Sequence, residues 1–335
     1  MNGRDLLILA AVLLVGGFAV ADAIRGGAES ARPETRSEEP TTRQSVVPSP
    51  PDDLGRTRFP GVSGAGGAVV FTQPGTCPVR EVDVSSGLEF PNVVSRSSCE
   101  LWVAPVTAKV AVGTGQGSRD TVPFRFLDLD GQSGNLGGSR ALFGFMIWSD
   151  DGQRAAWCTR PTTGFDLQVV GAEAQRLSEC PAAYTPDGEI AYARENLVVV
   201  EGGRVEVRAT GAVTFVHYGA DGSVAVLVDG ARIERWAAGR RQQTLDLPAD
   251  LEGRNPIFTP DNCSVLFNLG DRMRLIDVGC SAFEERAFDG TAAAWSPDGR
   301  WIAVGGPSAI VFHDLVEGAE PVFWPIGAVE IAWRR

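Results

Sequence analysis

An all-β chain whose body is a propeller of four-stranded blades is the fold class that this sequence predicts, and three observations predict it. An aromatic residue followed by a Pro/Asp/Gly turn recurs at 148, 184, 218, 258 and 295, in steps of 36, 34, 40 and 37 residues. The runs on either side of each turn are short and rich in β-branched and aromatic residues, as strands require. The two ends of the chain also complement each other. Val329-Glu-Ile-Ala-Trp333 reads as a lone first strand, while residues 67–84 match a second and third strand without a first. A ring whose last strand completes its first blade removes the exposed sheet edge.

The elements follow in order. Residues 1–24 hold the apolar run Leu6–Ala21, LLILAAVLLVGGFAVA. As a helix it would span about 24 Å, short of the ~30 Å hydrocarbon core unless extended toward Ile24. It reads either as an uncleaved signal-anchor or as a signal peptide cut after Ala19-Val-Ala21. Both readings put the remainder outside the cytoplasm, in a cell-membrane protein with an extracytoplasmic C-terminal domain or in a secreted one. Residues 25–60 mix charge, Ser/Thr and Pro with few apolar residues and read as a flexible linker. Its 36 residues would span roughly 30–35 Å as a coil.

Residues 61–335 are read as the propeller domain. Each repeat has the chemistry of a β-hairpin: Trp148-Ser-Asp-Asp-Gly152, Tyr184-Thr-Pro-Asp-Gly188, Tyr218-Gly-Ala-Asp-Gly222, Phe258-Thr-Pro-Asp-Asn262 and Trp295-Ser-Pro-Asp-Gly299. Asp-Gly and Asp-Asn tolerate the positive φ of a tight primed turn, and Pro presets φ ahead of them. A third strand follows, often ending apolar-Asp-apolar at Asp83, Asp277 and Asp314, whose carboxylates are expected to accept local backbone hydrogen bonds. A poorer fourth strand, such as 205–208 or 243–246, completes the unit. Four strands at a period near 37 are the mark of a propeller blade. First strands at 102, 148, 184, 218, 258, 295 and 333 count seven blades, or six if residues 100–140 form an irregular insertion. The recurring aromatics are expected to pack between neighbouring sheets.

Trp295-Ser-Pro-Asp-Gly-Arg-Trp-Ile-Ala-Val304, with fainter copies at 184–193 and 258–267, resembles the repeat of TolB-like and WD-type propellers over roughly residues 66–335. The resemblance implies a binding scaffold of the cell envelope, with some members associated with enzymes. It does not imply a particular ligand.

The six cysteines are Cys77, Cys99, Cys158, Cys180, Cys263 and Cys280. An even count in an exported chain favours disulfides. The first and second pairs are each 22 residues apart and occupy equivalent places in two blades, so one bridge repeated explains both. Cys263 and Cys280 flank the Gly270-Asp271 turn symmetrically and are expected to face each other across a hairpin. Zinc is the rival reading, and it lacks a C-x₂-C or paired-His spacing.

The net charge is −12, of which residues 61–335 carry −11. An acidic body repels phosphate backbones, so nucleic acid is not expected as a partner. No G-x-S-x-G elbow occurs: Ser63 and Ser133 have the wrong glycine spacing. His217 and His313 read as strand residues. Gly113-Thr-Gly-Gln-Gly117 lacks the Lys of a phosphate loop, and Asp128-Leu-Asp-Gly131 reads as a turn rather than a calcium loop. No catalytic, cofactor or metal residue is therefore assigned and no cofactor is expected. The leading expectation is a monomeric, non-enzymatic module binding a protein or envelope component. The alternative is a glycan hydrolase or lyase using carboxylates around the central channel.

Overall fold

The computed structural model describes residues 59, 61–75, 77–94, 99–113, 124–129, 143–159, 165–169, 175–177, 180–280, 283–315 and 320–335. All belong to one compact unit, Gly55–Arg335. The apolar N-terminal run, the linker apart from Phe59, and residues 114–117, 130, 131 and 133 lie outside the described residues.

Seven antiparallel sheets make up a propeller. Blade 1 orders Glu330–Arg334, Ala68–Thr72, Pro78–Asp83 and Glu89–Val94. Blade 2 shows three strands among the described residues, Leu101–Val103, Lys109–Gly113 and Phe124–Asp128. Blade 3 runs Phe143–Trp148, Ala155–Thr159, Phe165–Val169, Gln175–Leu177, and blade 4 runs Pro181–Tyr184, Ile190–Arg194, Leu197–Val200, Val205–Arg208. Blade 5 is Val213–Tyr218, Val224–Val228, Arg232–Ala237, Arg240–Asp246, and blade 6 is Pro256–Phe258, Ser264–Asn268, Arg272–Asp277, Arg286–Asp289. Blade 7 is Ala292–Trp295, Trp301–Gly305, Ile310–Asp314, Val322–Trp324. The first strands of successive blades touch one another across the 7–1, 1–2, 3–4 and 4–5 seams, so they ring the axis.

Burial follows from this stacking. Second strands such as AVVFT, VAVLV and WIAVG are buried at every position, because each is covered on both faces by neighbouring blades. The last strand of blade 5, RRQQTLD, is almost wholly exposed. Among the described residues the apolar side chains form seven clusters, one per seam, in agreement with the seven sheets. Each fully buried Val, Leu or Phe contributes about 1.5–3 kcal/mol. The recurring aromatics sit in these seams: Tyr184, Phe258, Trp295 and Trp333 are buried. Trp295 Nε1 also donates to the Ile257 carbonyl of the preceding blade at 3.0 Å.

Closure is by the C-terminal strand. It pairs with the second strand of blade 1 in the register Thr72↔Glu330, Val69↔Trp333 and Ala68↔Arg334. Trp333 Nε1 donates to the Gly66 carbonyl at 2.9 Å, and the Arg334 guanidinium pairs with the buried Glu81 carboxylate. Phe59 seals the 7–1 seam at 1% exposure, its ring 5.0 Å from Phe312 and 4.9 Å from Trp324.

The turns differ from the expected primed type. In Thr185–Gly188 and Ser296–Gly299 the glycine N–H donates to the carbonyl three residues back, at 2.8 and 2.9 Å. Only the final residue has positive φ: 78° at Gly188, 70° at Gly299 and 58° at Asn262. A primed turn needs positive φ at its first central residue. Pro186, Pro260 and Pro297 stand there with φ locked negative, so the loop is a type I turn followed by one left-handed residue.

Candidate functional site

The first strands all run in the same direction, so their first residues gather at one rim. At that rim Cys77 is joined to Cys99 and Cys158 to Cys180, with Cα atoms 4.9 and 5.8 Å apart. At the opposite rim Cys263 is joined to Cys280, with Cα atoms 5.0 Å apart. These separations suit a bridge. They are the pairs that the repeat spacing singles out. All six cysteines are committed to one another, so the zinc reading has no free thiol to draw on.

The Cys77–Cys99 bridge lies beside a pair of acids. The buried Thr72 hydroxyl donates to the Cys99 carbonyl at 2.9 Å and accepts the Glu330 N–H at 3.2 Å. One side chain thereby ties the strand that closes blade 1 to the segment that opens blade 2. Glu330 is the first residue of its strand, and Glu100 immediately precedes Leu101–Val103. The Glu100 carbonyl is held by the Gly113 N–H at 3.0 Å. Two glutamates thus begin adjacent innermost strands at one end of the channel.

Loss of hydration inside the ring, and then the nearby Glu100 carboxylate, push the Glu330 carboxyl up to about 7. The residue as a whole is nonetheless exposed, as at a channel mouth. A carboxyl that keeps its proton near neutrality beside a second acid can donate a hydrogen bond where its neighbour accepts one. The sequence reading left open which carboxylates would meet across blades. A signal existed in the register: Glu-Leu-Trp102 and Glu-Ile-Ala-Trp333 place a glutamate two or three residues ahead of the blade aromatic.

The two histidines sit in blade seams. His217 Nδ1 donates to Asn262 Oδ1 at 2.7 Å, and its ring stacks on Phe258 with centroids 5.5 Å apart. Burial holds its pKa below the usual imidazole value. The Asn262 amide in turn donates to the Ser223 hydroxyl at 2.9 Å and carbonyl at 3.2 Å. This asparagine replaces the usual turn glycine and uses its side chain to lock blade 5 to blade 6. His313 packs on Phe288, 4.6 Å between centroids. Burial and then the Arg286 charge lower its pKa to about 4. Both rings are neutral at pH 7.

The third-strand aspartates hold local contacts. Asp83 accepts the Ser86 N–H at 2.8 Å, and Asp277 accepts those of Gly279 and Cys280 at 2.7 and 3.1 Å, as expected. Asp314 takes the Arg300 guanidinium through Nε at 2.9 Å and through Nη2, a charge-assisted contact between neighbouring strands.

No protein-family model matches the chain, and no curated protein matches it in sequence. Solved structures similar to it include the following. Apo AztD from Citrobacter koseri is 12% identical with a TM-score of 0.49, over 80% of this chain and 98% of that one. TolB from Acinetobacter baumannii is 14% identical with a TM-score of 0.45, over 80% and 66%. The β-propeller domain of Cps50 (Swd1) from Myceliophteria thermophila is 15% identical with a TM-score of 0.47, over 72% and 91%. Nothing of ligand or activity is carried over from them. What the strand order and register establish is the architecture: the chain folds as a seven-bladed β-propeller closed by its own C-terminal strand.

Proposed function

We propose that this chain is an extracytoplasmic, membrane-tethered binding module without catalytic activity of its own, engaging a protein or envelope component through one rim of the ring. The observation that carries the reading is the set of three disulfides spread over both rims. Such bridges persist in oxidising compartments, and here they stiffen the loop ends that a propeller offers to partners. The neutral, seam-locked imidazoles add support, since among the described residues neither is hydrogen-bonded to a hydroxyl or thiol nucleophile.

Two measurements test this. Thiol labelling of the full chain in unbroken cells should find all six cysteines unreactive until a reductant is added. Crosslinking and capture from intact cells should retain a specific envelope partner. Free thiols in the first assay, or retention only on a glycan array in the second, would overturn the proposal.

One observation favours a second reading. Glu330 held near pH 7 beside Glu100 is the kind of carboxyl pair that glycan hydrolysis uses. Turnover of a glycan by the wild type that disappears in both E330Q and E100Q would establish that reading instead.

A further inference from the structure

A groove of about 330 Å³ lies on blade 6, against the connection from blade 5. That volume is at the lower end of the range for small-molecule sites. Its charged lining is unusual for this protein: three arginines, Arg272, Arg274 and Arg286, face two acids, Asp250 and Glu285. The local balance is +1, in a domain that carries −11.

The three cations are not equivalent. Arg274 is held in place by Asp250 at 3.3 Å and Glu285 at 3.9 Å. Arg272 and Arg286 make no side-chain hydrogen bond or ion pair among the described residues. The nearby imidazole of His313 is neutral at pH 7, so it adds no second positive charge beside Arg286. Leu269, Leu275 and Ala287 give the groove an apolar wall.

From this arrangement we infer that the groove binds a small organic monocarboxylate, its head between the Arg272 and Arg286 guanidiniums and its hydrocarbon body on the leucines. Guanidinium forks match a carboxylate geometrically. The apolar wall rewards a ligand with a carbon skeleton over a bare inorganic ion. Asp250 and Glu285 repel a second negative charge, which disfavours phosphate and sulfated polymers. This inference is independent of the tether and of the channel-mouth acids.

Isothermal titration of the full chain at low ionic strength tests it, with benzoate as the probe and inorganic phosphate and benzylamine alongside. Benzoate should saturate a single site, with phosphate at least about tenfold weaker and benzylamine not bound. R272Q and R286Q should each weaken benzoate about tenfold or more, while R240Q on the exposed outer strand of blade 5 leaves it unchanged. A287E places a carboxylate at an exposed position of the groove wall. It should abolish binding with the near-ultraviolet circular dichroism preserved, which guards against misfolding of an arginine variant. No saturable benzoate binding, phosphate binding at least as tightly, or benzoate affinity unchanged in A287E would overturn the inference.

Discussion

Replacing Glu330 with glutamine should raise stability at neutral and alkaline pH and leave it unchanged in acid. The folded-state carboxyl sits at about 7 against an ordinary value of 4.5. Below pH 4.5 the group is protonated whether the chain is folded or not, so it has no effect on stability. As pH rises from 4.5 to 7 the unfolded chain releases its proton while the folded chain retains it, and stability falls; above 7 the loss is complete. For a group sealed from water the full loss would be about 3 kcal/mol. Glu330 touches solvent, and screening reduces this to about 1 kcal/mol. In a domain of this size that corresponds to a melting-temperature gain of about 2–4 °C for E330Q at pH 8. Tryptophan fluorescence reports the transition, with melts from pH 4 to 8.5 for wild type, E330Q and E100Q. The E330Q advantage should grow between pH 4.5 and 7. E100Q should move that window toward acid, because it removes the second cause of the shift. A difference between E330Q and wild type that is the same at pH 4 and pH 8 would refute the reasoning.

Three further outcomes are expected. N262G keeps the positive φ of 58° but leaves His217 and Ser223 without their amide partner, and should cost about 2–4 kcal/mol in urea denaturation; a loss under about 0.5 kcal/mol would show that the network does not bind the blades. F59A removes a ring packed between Phe312 and Trp324 and should cost about 3–5 kcal/mol, with a lowered midpoint for the cooperative transition as the check. The C263S/C280S double variant opens a bridge of separation 17 and should lose about 3 kcal/mol in the chain-entropy model. Non-reducing peptide mapping of the wild type should yield the three pairs found here, and any other partner for Cys77 would contradict the structure.

The blade period, the turn positions and the disulfide pairs were legible in the amino-acid order because each is a local property repeated several times. Asp-Gly after Pro forces a turn wherever it stands, and two cysteine pairs at one spacing in equivalent blades point to one geometry. Turn type was legible only in part: reading Asp-Gly as a primed hairpin overlooked the negative φ that Pro186 and Pro297 impose one position earlier. The Arg300 contact of Asp314 was not legible, since it comes from the neighbouring strand.

The functional features depend on contacts that no local pattern encodes. Glu100 and Glu330 are separated by 230 residues and meet only because the last strand returns to close the first blade. The groove on blade 6 needs Asp250 from the preceding connection beside Arg274 from a third strand, and His217 finds Asn262 across a seam. By itself, then, the sequence determined the repeating unit and its covalent links and narrowed the blades to six or seven, because short-range sterics and hydrophobic alternation act within a few residues; the sheets of the folded chain count seven. The tertiary structure decided which charges and hydrogen-bonding groups share a low-water environment, because that depends on how sheets distant in the chain stack around the ring.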